Sequence, residues 1–547
     1  MVHHQLQCSQ QGEDVTVKVV SISSPQRKSG TVVPWPKELR RLSDENDYLE
    51  IDKKKFRLEV DQSVQLPLIE LAIKRYHSLY LFDDRKPEDK DDPSADRRKR
   101  LGSLEVVRIS SLGNESQFVC ETIPHADMDE SYTLTVQQPN ADNVDSAAQL
   151  SARSCWGVLR GLETLSQLIF SISPDGVFAI QPVQIEDSPR FKHRGLMLDT
   201  SRHYISISTI MSIIDAMSFN KLNVFHWHIV DDQSFPYRSA TYPQLAQKSA
   251  FRPDYTYSRQ EVQFIVMYAA THGIRVIPEL DTPGHSYALR HIPDLLTKCY
   301  DKNKKPNGDV GPIDPTSPLA YTVMDNFLKE FGSIFPDRYF HAGGDEVEFD
   351  CWRSNDKISN WMKRRNMTSN YEELSNHYMR QVYGLVKKHN KTMLVWQEVY
   401  DMKSNLPKDT LIHVWKYINN RPAYMAELAN VVESGYSAIL SSCWYLNYID
   451  YGRDWIKFYQ CDPRSSPVPE KSKHKVLGGE ICMWTEYVDD TNVIARIWPR
   501  ASAAAERLWS PRSITDVRGF IGRLEQHRCR LNYRGIEAEP VNGPGYC

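Results

Sequence analysis

After Ser188-Pro189-Arg190 the sequence changes texture, and from there short apolar runs alternate with helical stretches. Such alternation points to a parallel sheet, because a parallel neighbour can be reached only through a crossover, usually a helix. Eight runs carry the pattern: Gly195 to Leu198, Val224 to Ile229, Arg275 to Leu280, Tyr339 to Gly343, Met393 to Trp396, Ile412 to Trp415, Ala438 to Ser441 and Val476 to Ile481. Eight strand–helix units across residues 188–547 fit an α/β fold of the (β/α)8 TIM-barrel type, with an active site at the C-terminal ends of the strands. A doubly wound open sheet is the alternative. The sequence holds no G-x-G-x-x-G and no Walker A turn to support it.

Ahead of this region, residues 31–187 read as a smaller α+β domain. Strand-like runs such as Tyr132 to Val136 precede a helical run from Ala147 to Leu168 with apolar residues at helical spacing. Residues 1–30 are polar and without period, which suits a poorly ordered lead-in. The charged run Arg85 to Arg100 reads as a solvated loop. A chain of 547 residues with 41% hydrophobic content has enough apolar matter for both cores.

The charge balance, 67 Lys+Arg against 70 Asp+Glu, offers no basic field for nucleic acid. No apolar run approaches the roughly 18 residues of a membrane span. Met1 to Gln11 lack the apolar core of a secretory signal, yet other features point outward. The cysteine count is 10. Cys529 lies close to Cys547, where a covalent staple does most for an otherwise loose tail, so that pair reads as a disulfide. Sequons begin at Asn114, Asn366 and Asn390. The expectation is a secretory route, ending in the lysosome or outside the cell.

Polar and aromatic residues gather where the strands end. The clusters are Asp199-Thr200-Ser201-Arg202, then His226-Trp227-His228 with Asp231-Asp232, then Glu279 to His285, then Asp345-Glu346. Later strands deliver Trp396 with Glu398, Trp415, and Trp484 with Glu486. Each alone is compatible with a solvated loop or rim packing. Together, indoles and carboxylates on one rim form a platform for sugars, whose apolar ring faces stack on aromatic rings.

Asp345 and Glu346 are adjacent, their Cα atoms about 3.8 Å apart. Both side chains therefore approach a substrate from one strand end and cannot easily flank it. A retaining glycosidase of the common kind needs carboxyls about 5 to 5.5 Å apart across the scissile bond, and an inverting one about 6.5 to 9.5 Å. An adjacent pair suits another division: one carboxyl protonates the leaving oxygen, and the other holds a substrate group that itself attacks. An N-acetyl group can do that.

The residues resemble the β-N-acetylhexosaminidases of glycoside hydrolase family 20, most closely the animal lysosomal type. The likeness covers roughly residues 31–547. It rests on Arg194 to Tyr204, Asn220 to His228, Asp281-Thr282-Pro283-Gly284-His285, Gly343-Gly344-Asp345-Glu346, Val395-Trp396-Gln397-Glu398, Trp444-Tyr445-Leu446-Asn447 and Trp484-Thr485-Glu486. The resemblance implies hydrolysis, without cofactor or metal, of terminal β-linked N-acetylglucosamine or N-acetylgalactosamine from glycoconjugates or chitin oligomers, with retention through an oxazolinium intermediate. It makes Glu346 the general acid and later base, and Asp345 the group that orients the acetamide and stays ionised. A neighbouring like charge is expected to raise the Glu346 pKa and keep it protonated.

By the same resemblance Asp231 and His285 couple to the acid. Arg202 and Glu486 bind the terminal sugar's hydroxyls, Trp396, Trp415 and Tyr445 enclose the acetyl group, and Trp484 lies under the ring. Asn447 follows Tyr445 in the pocket wall, and Tyr448 stands where some animal subunits carry an Arg that welcomes anionic sugars. Cys299 and Cys351 fit a family bridge, and Cys482 reads as a buried free thiol. The family's N-terminal-domain bridge finds no evident partner for Cys120, whose only upstream cysteine is Cys8. Tyr451 matches an interface residue of dimeric members, which implies a homodimer.

Two other readings compete. His226 and His228, two apart on a strand, face the same way and could share a metal in a metal-dependent hydrolase. A barrel without activity that only binds carbohydrate is the second, although every catalytic position that the resemblance implies is filled.

Overall fold

The computed structural model describes residues 31–82, 99–113, 118–138, 146–172, 177–367, 370–418, 420–448, 450 and 452–547, with short strand pieces at 4–5 and 20–21. Most of the lead-in, most of the run from Arg85 to Arg100, and Cys8, Asn114 and Tyr451 lie outside the described residues.

Eight parallel strands close into a barrel. They are β1 (His193–Asp199), β2 (Val224–Val230), β3 (Arg275–Leu280), β4 (Tyr339–His341), β5 (Thr392–Trp396), β6 (Leu411–Val414), β7 (Ser437–Leu440) and β8 (Val476–Met483). All eight expected runs are strands, with ends shifted by a few residues. Because these strands are buried on both faces, they read as near-continuous apolar runs. Polar residues within them therefore mark the interior. In β2, Trp227 points outward among the helices, while His226 and His228 occupy the alternate, inward positions.

Crossover helices start on side-chain caps that satisfy their first amides. Ser206 caps Ile207–Phe219, Ser317 caps Pro318–Gly332, Asn370 caps Tyr371–Lys388, and Ser258 forms a reciprocal capping box with Glu261 at Arg259–Ala270.

β4 stops at His341, short of the expected Gly343. Gly343 and Gly344 take φ of +67° and +99°, a backbone that no strand uses. A Cβ on Gly343 would fall 1.7 Å from Asp281 Oδ1, so glycine is also required by space.

The N-terminal part is a mixed sheet, ordered Glu38–Arg41, Val183–Asp187, Tyr132–Val136, Ser146–Ala152, Lys99–Ser111, Asp47–Ile51, Phe178–Ile180, Phe170–Ser171. Helices Pro67–Arg75 and Cys155–Leu168 accompany it. The expected helix from Ala147 is corrected here. Ser146–Ala152 is a strand paired on both sides, and the helix begins only after Ser154, whose side chain accepts from the Gly157 amide. The apolar content of 147–152 satisfies either period, and sheet pairing decides it.

Cys120 does have a partner, downstream rather than upstream: Cys155, at the start of that helix. Cys299–Cys351 and Cys529–Cys547 are also bonded, as is Cys443–Cys461, a pair the sequence did not single out. Cys482 is a buried free thiol.

The two parts meet below the barrel, at the N-terminal ends of its strands. Buried Glu130 accepts from Arg160 (2.8 Å) and from Arg194 at the start of β1 (2.6 Å). Arg160 also donates to the carbonyls of His272 and Gly273, just before β3. The opposite rim is thereby left free for a site.

Candidate active site

Strand register brings the polar residues together. Asp199 lies beside His228, His228 beside Glu279 and Glu279 beside His341 around β1 to β4, while Trp396 lies beside His413 across β5 and β6.

The acid pair sits on the turn after β4. Asp345 is buried, its side chain 9% exposed, whereas the Glu346 side chain is 60% exposed at the mouth. Glu346 adopts φ +47° and His285, opposite it, φ +46°. Left-handed backbone is costly for such residues and is tolerated where the surroundings fix it, most often at working sites. Two consecutive side chains thus part company, one turned into the barrel and one toward solvent.

A chain of contacts runs to Glu346 from below. His228 Nε2 is 2.7 Å from Asp231 Oδ2, and Asp231 Oδ1 is 3.2 Å from His285 Nδ1. His285 Nε2 stands 3.5 Å from Glu346 Oε2 and 3.8 Å from Asp345 Oδ2. Burial works against the Asp231 anion, but hydrogen bonds from His228 and His285 outweigh it and hold the carboxyl well below its usual range. Burial likewise opposes a His285 cation, and Asp345, Asp231 and Glu346 overturn it, so the ring is held strongly protonated.

That corrects one expectation. Hydrogen bonding to His285 is the largest influence on Glu346 and outweighs burial, so its pKa is lowered. The groups that burial and then Asp345 raise are Asp281 and Glu398. His285 and Glu346 thus form a cation–carboxylate pair at the mouth of the barrel.

Aromatic residues wall the pocket beside Asp345. Trp396, Tyr445 and Trp484 cluster with Met197 and Cys482, and Trp415 packs on them. Trp415 stacks on Tyr445 at 6.1 Å and meets Trp396 edge-on at 6.5 Å. Both indole N–H groups are fixed by carboxylates: Trp396 Nε1 donates to Glu279 (2.7 Å) and Trp415 Nε1 to Glu398 (2.8 Å). Burial, then Asp345, raises Glu398 to about 7.

Arg202 spans Asp199 (3.2 Å) and Asp231 (2.8 Å) over the Trp484 ring. Glu486 is exposed on the same rim and has a raised pKa, from burial and then the nearby Asp199. Asn447 is half-buried with Oδ1 unpartnered among the described residues, and Tyr448 is 48% exposed beside Tyr445.

His226 and His228 do face one way, but they are held by carboxylates. His228 spends both nitrogens on Glu279 and Asp231, and His226 lies between Glu480 (2.5 Å) and Glu279 (2.9 Å). That arrangement leaves His228 no nitrogen to give a metal.

Asp199, Glu279 and Asp281 stood in strand-end clusters without a role. Only the register, which spacing along the chain does not reveal, shows that they brace Arg202, His228 and the acid turn.

Comparison with known proteins agrees with this geometry. The family described as "Glycosyl hydrolase family 20, catalytic domain" matches residues 191–512, and the one described as "beta-acetyl hexosaminidase like" matches residues 32–168. The chain is 44% identical over 481 residues to the β-hexosaminidase subunit beta of Homo sapiens, covering 88% of this chain and 83% of that one. It is 40% identical over 519 residues to the subunit alpha of Rattus norvegicus, covering 94% of each. Among solved structures, a chitobiase of Flavobacterium johnsoniae superposes with a TM-score of 0.75 at 30% identity, covering 92% of this chain and 73% of that one.

Proposed function

We propose, from the premise that this chain belongs to glycosyl hydrolase family 20, a division of labour between its two adjacent acids. The enzyme is a β-N-acetylhexosaminidase that removes terminal, non-reducing N-acetylglucosamine or N-acetylgalactosamine, and the substrate's own acetamide is the nucleophile. Asp345 holds the acetamide N–H inside the cage of Trp396, Trp415 and Tyr445, so that the carbonyl oxygen meets C1. Glu346 gives the leaving oxygen a proton as the C1–O bond breaks and an oxazolinium ring closes. Glu346 then takes a proton from water as that water opens the ring, with net retention.

The observation that carries this assignment is the split environment of the pair. Asp345 is buried against the aromatic cage, and its Oδ1 receives no hydrogen bond from an amide, hydroxyl or ring N–H among the described residues. Glu346, one residue on, is exposed where an aglycone must leave. A preorganised carboxylate facing the charge that develops on the acetamide nitrogen is a strong source of rate.

Arg202 and Glu486 hold the sugar hydroxyls, Trp484 supports the ring, and Asp231 with His285 loads the proton on Glu346. Asn447 and Tyr448 face the outer part of the sugar. Tyr448 carries no positive charge, so sulfated or sialylated substrates are disfavoured.

Asp345→Asn and Glu346→Gln, assayed on an N-acetylglucosaminide and on the matching glucoside, test the assignment. Each variant should lose about 10²–10⁴-fold in kcat on the N-acetylated substrate, the scale of a positioned acid or of a charge stabiliser. Appreciable wild-type hydrolysis of the glucoside, or an Asp345→Asn enzyme as fast as wild type, would refute it.

Passage through the secretory route to a lysosome or the exterior is supported by the four disulfides among the described residues and by exposed Asn366 and Asn390, both at left-handed turns. The relatives named above are called subunits, and a homodimer is the assembly proposed for this chain. Sedimentation equilibrium giving the monomer mass would refute it.

A further inference from the structure

Beneath the acid turn, in the barrel's centre, lies Glu279, a fully buried carboxylate to which the catalytic scheme gives no task. Its Oε2 is 2.6 Å from His228 Nδ1 and 2.9 Å from His226 Nε2, and its Oε1 is 3.0 Å from His341 Nδ1 and accepts from Trp396 Nε1 at 2.7 Å. Of these neighbours His228 and Trp396 hydrogen-bond to it, whereas His341 Nδ1 accepts from the Gly343 amide; a carboxylate so deeply buried is costly to desolvate, and packing alone would be met as well by an apolar side chain.

What sets Glu279 apart is the line that leaves it. From Glu279 the contacts pass through His228 to Asp231, then through His285 to Glu346, with every atom in the line except the last buried or nearly so. We propose that Glu279 is a positioning residue for the general acid, acting through His228 to fix which oxygen of Asp231 faces His285 and so where the leaving-group proton is held. This inference rests on the acid role given above to Glu346.

The chemistry follows link by link. His228 lies between two carboxylates and can bond both only if each ring nitrogen carries a proton. Its cation then occupies Asp231 Oδ2, together with Arg202 at 2.8 Å. That leaves Oδ1 for the Nδ1–H of His285, which turns Nε2 of that ring toward Glu346. If Glu279 loses its charge, His228 loses the reason to carry a second proton, and a bare Nε2 lone pair would face Asp231. Asp231 then swings or takes a proton, and His285 loses its fixed orientation. The same carboxylate accepts from Trp396 in the acetamide cage, an acceptor that Glu279→Gln keeps through its amide oxygen, so that variant leaves the nucleophile arm in place.

The test is Glu279→Gln in the full-length enzyme, assayed for kcat on di-N-acetylchitobiose and on the 2,4-dinitrophenyl N-acetylglucosaminide, whose leaving group needs no proton. A residue that acts through the acid should cost kcat at least about tenfold on chitobiose and less than about threefold on the dinitrophenyl substrate, because a lost acid matters only where the leaving group must be protonated. A merely structural residue would lower both alike. Asp231→Asn should show the same selectivity, and adding E279Q to it should cost little more, since both act through one line.

If E279Q does not fold, His228→Asn carries the same expectation, cutting the line one link further out while Glu279 keeps His226, His341 and Trp396. Equal losses on the two substrates, or full multiplication of the losses in the double variant, overturn the inference. If Glu346→Gln is leaving-group sensitive while E279Q and His228→Asn are not, this inference alone falls. If Glu346→Gln is itself insensitive, the acid assignment falls and takes this inference with it.

Discussion

The buried histidines of β2 show how single residues here are defined by their partners. An isolated histidine in an apolar barrel loses its charge, since burial favours the neutral ring. For His226, Glu480 and Glu279 reverse that burial effect and raise it to about 9, and for His228, Glu279 and Asp231 raise it to about 10. Both folded-state values lie above the unfolded value of about 6.5. The stabilisation they contribute is therefore complete below about pH 6.5 and is lost as pH rises through about 9 to 10. A thermal melt followed from pH 5.5 to 10.5 should hold its midpoint to about pH 6.5, fall steadily from there to about pH 9 to 10, and lose nothing further to these rings above that. His228→Gln should flatten that alkaline fall. A wild-type midpoint unchanged to pH 10.5 would show that these rings are neutral in the folded enzyme. None of this was legible in His226-Trp227-His228 as a string. The two-residue spacing gave the shared inward face, but two histidines on one face suit a metal as well as carboxylates, and, Asp231 apart, the carboxylates arrive from β3 and β8, far away in sequence.

At the scale of elements, the strands were easy to read and their ends were not. A strand buried on both faces announces itself by an unbroken apolar run, so all eight were found. Where each stops depends on loop contacts with no local signature, and β4 is the instructive case. Its sequence runs on apolar and small through Gly343, yet the chain leaves the sheet at His341 so that two glycines can carry the acids over Asp281. Gly343→Ala puts a methyl group onto the Asp281 carboxyl and forces an L residue into φ +67°. Overpacking of this kind costs about 1–3 kcal/mol, and the left-handed backbone adds to it. The turn, and not the barrel, should yield: far-ultraviolet dichroism stays at wild type while kcat/KM drops by at least about 100-fold, since a displacement of roughly 1 Å in a catalytic group costs that much. An alanine variant with near-normal kcat/KM would mean that the glycine serves folding only. The same limit explains the strand at Ser146–Ala152, where a helix is expected, and the unexpected Cys120–Cys155 bridge: once the helix start moves to Cys155, that buried cysteine stands at the helix N-terminus within reach of Cys120.

On the scale of the whole molecule, the two parts have different work because they meet the barrel at opposite ends. Catalytic side chains leave the C-terminal ends of the strands, whereas the N-terminal sheet grips the other end through Glu130, Arg160 and Arg194. Burial works against the Glu130 anion, and Arg194 and Arg160 outweigh it, holding the carboxyl below its usual range. Asn223, at the start of β2, donates to its second oxygen. The arrangement resists removal of one member far more than replacement of all three, because a lone deletion strands two buried guanidinium groups. Glu130→Ala should therefore cost about 3–5 kcal/mol, read as a lower urea midpoint, while kcat of the protein that remains folded stays within about twofold of wild type. Glu130→Gln, which keeps an acceptor but no charge, should fall between the two. The alternative is that the N-terminal sheet shapes the pocket from below. Glu130→Ala would then change kcat or KM under conditions where the variant is fully folded, and the division between a supporting end and a working end would have to be abandoned. Distance argues against that outcome, since the triad binds the strand beginnings and the acid pair rides on a turn past the strand ends. The barrel interior between them is filled by His193, His226, His341 and His413 with Glu279 and Glu480, and any signal from one end to the other has to pass through that layer.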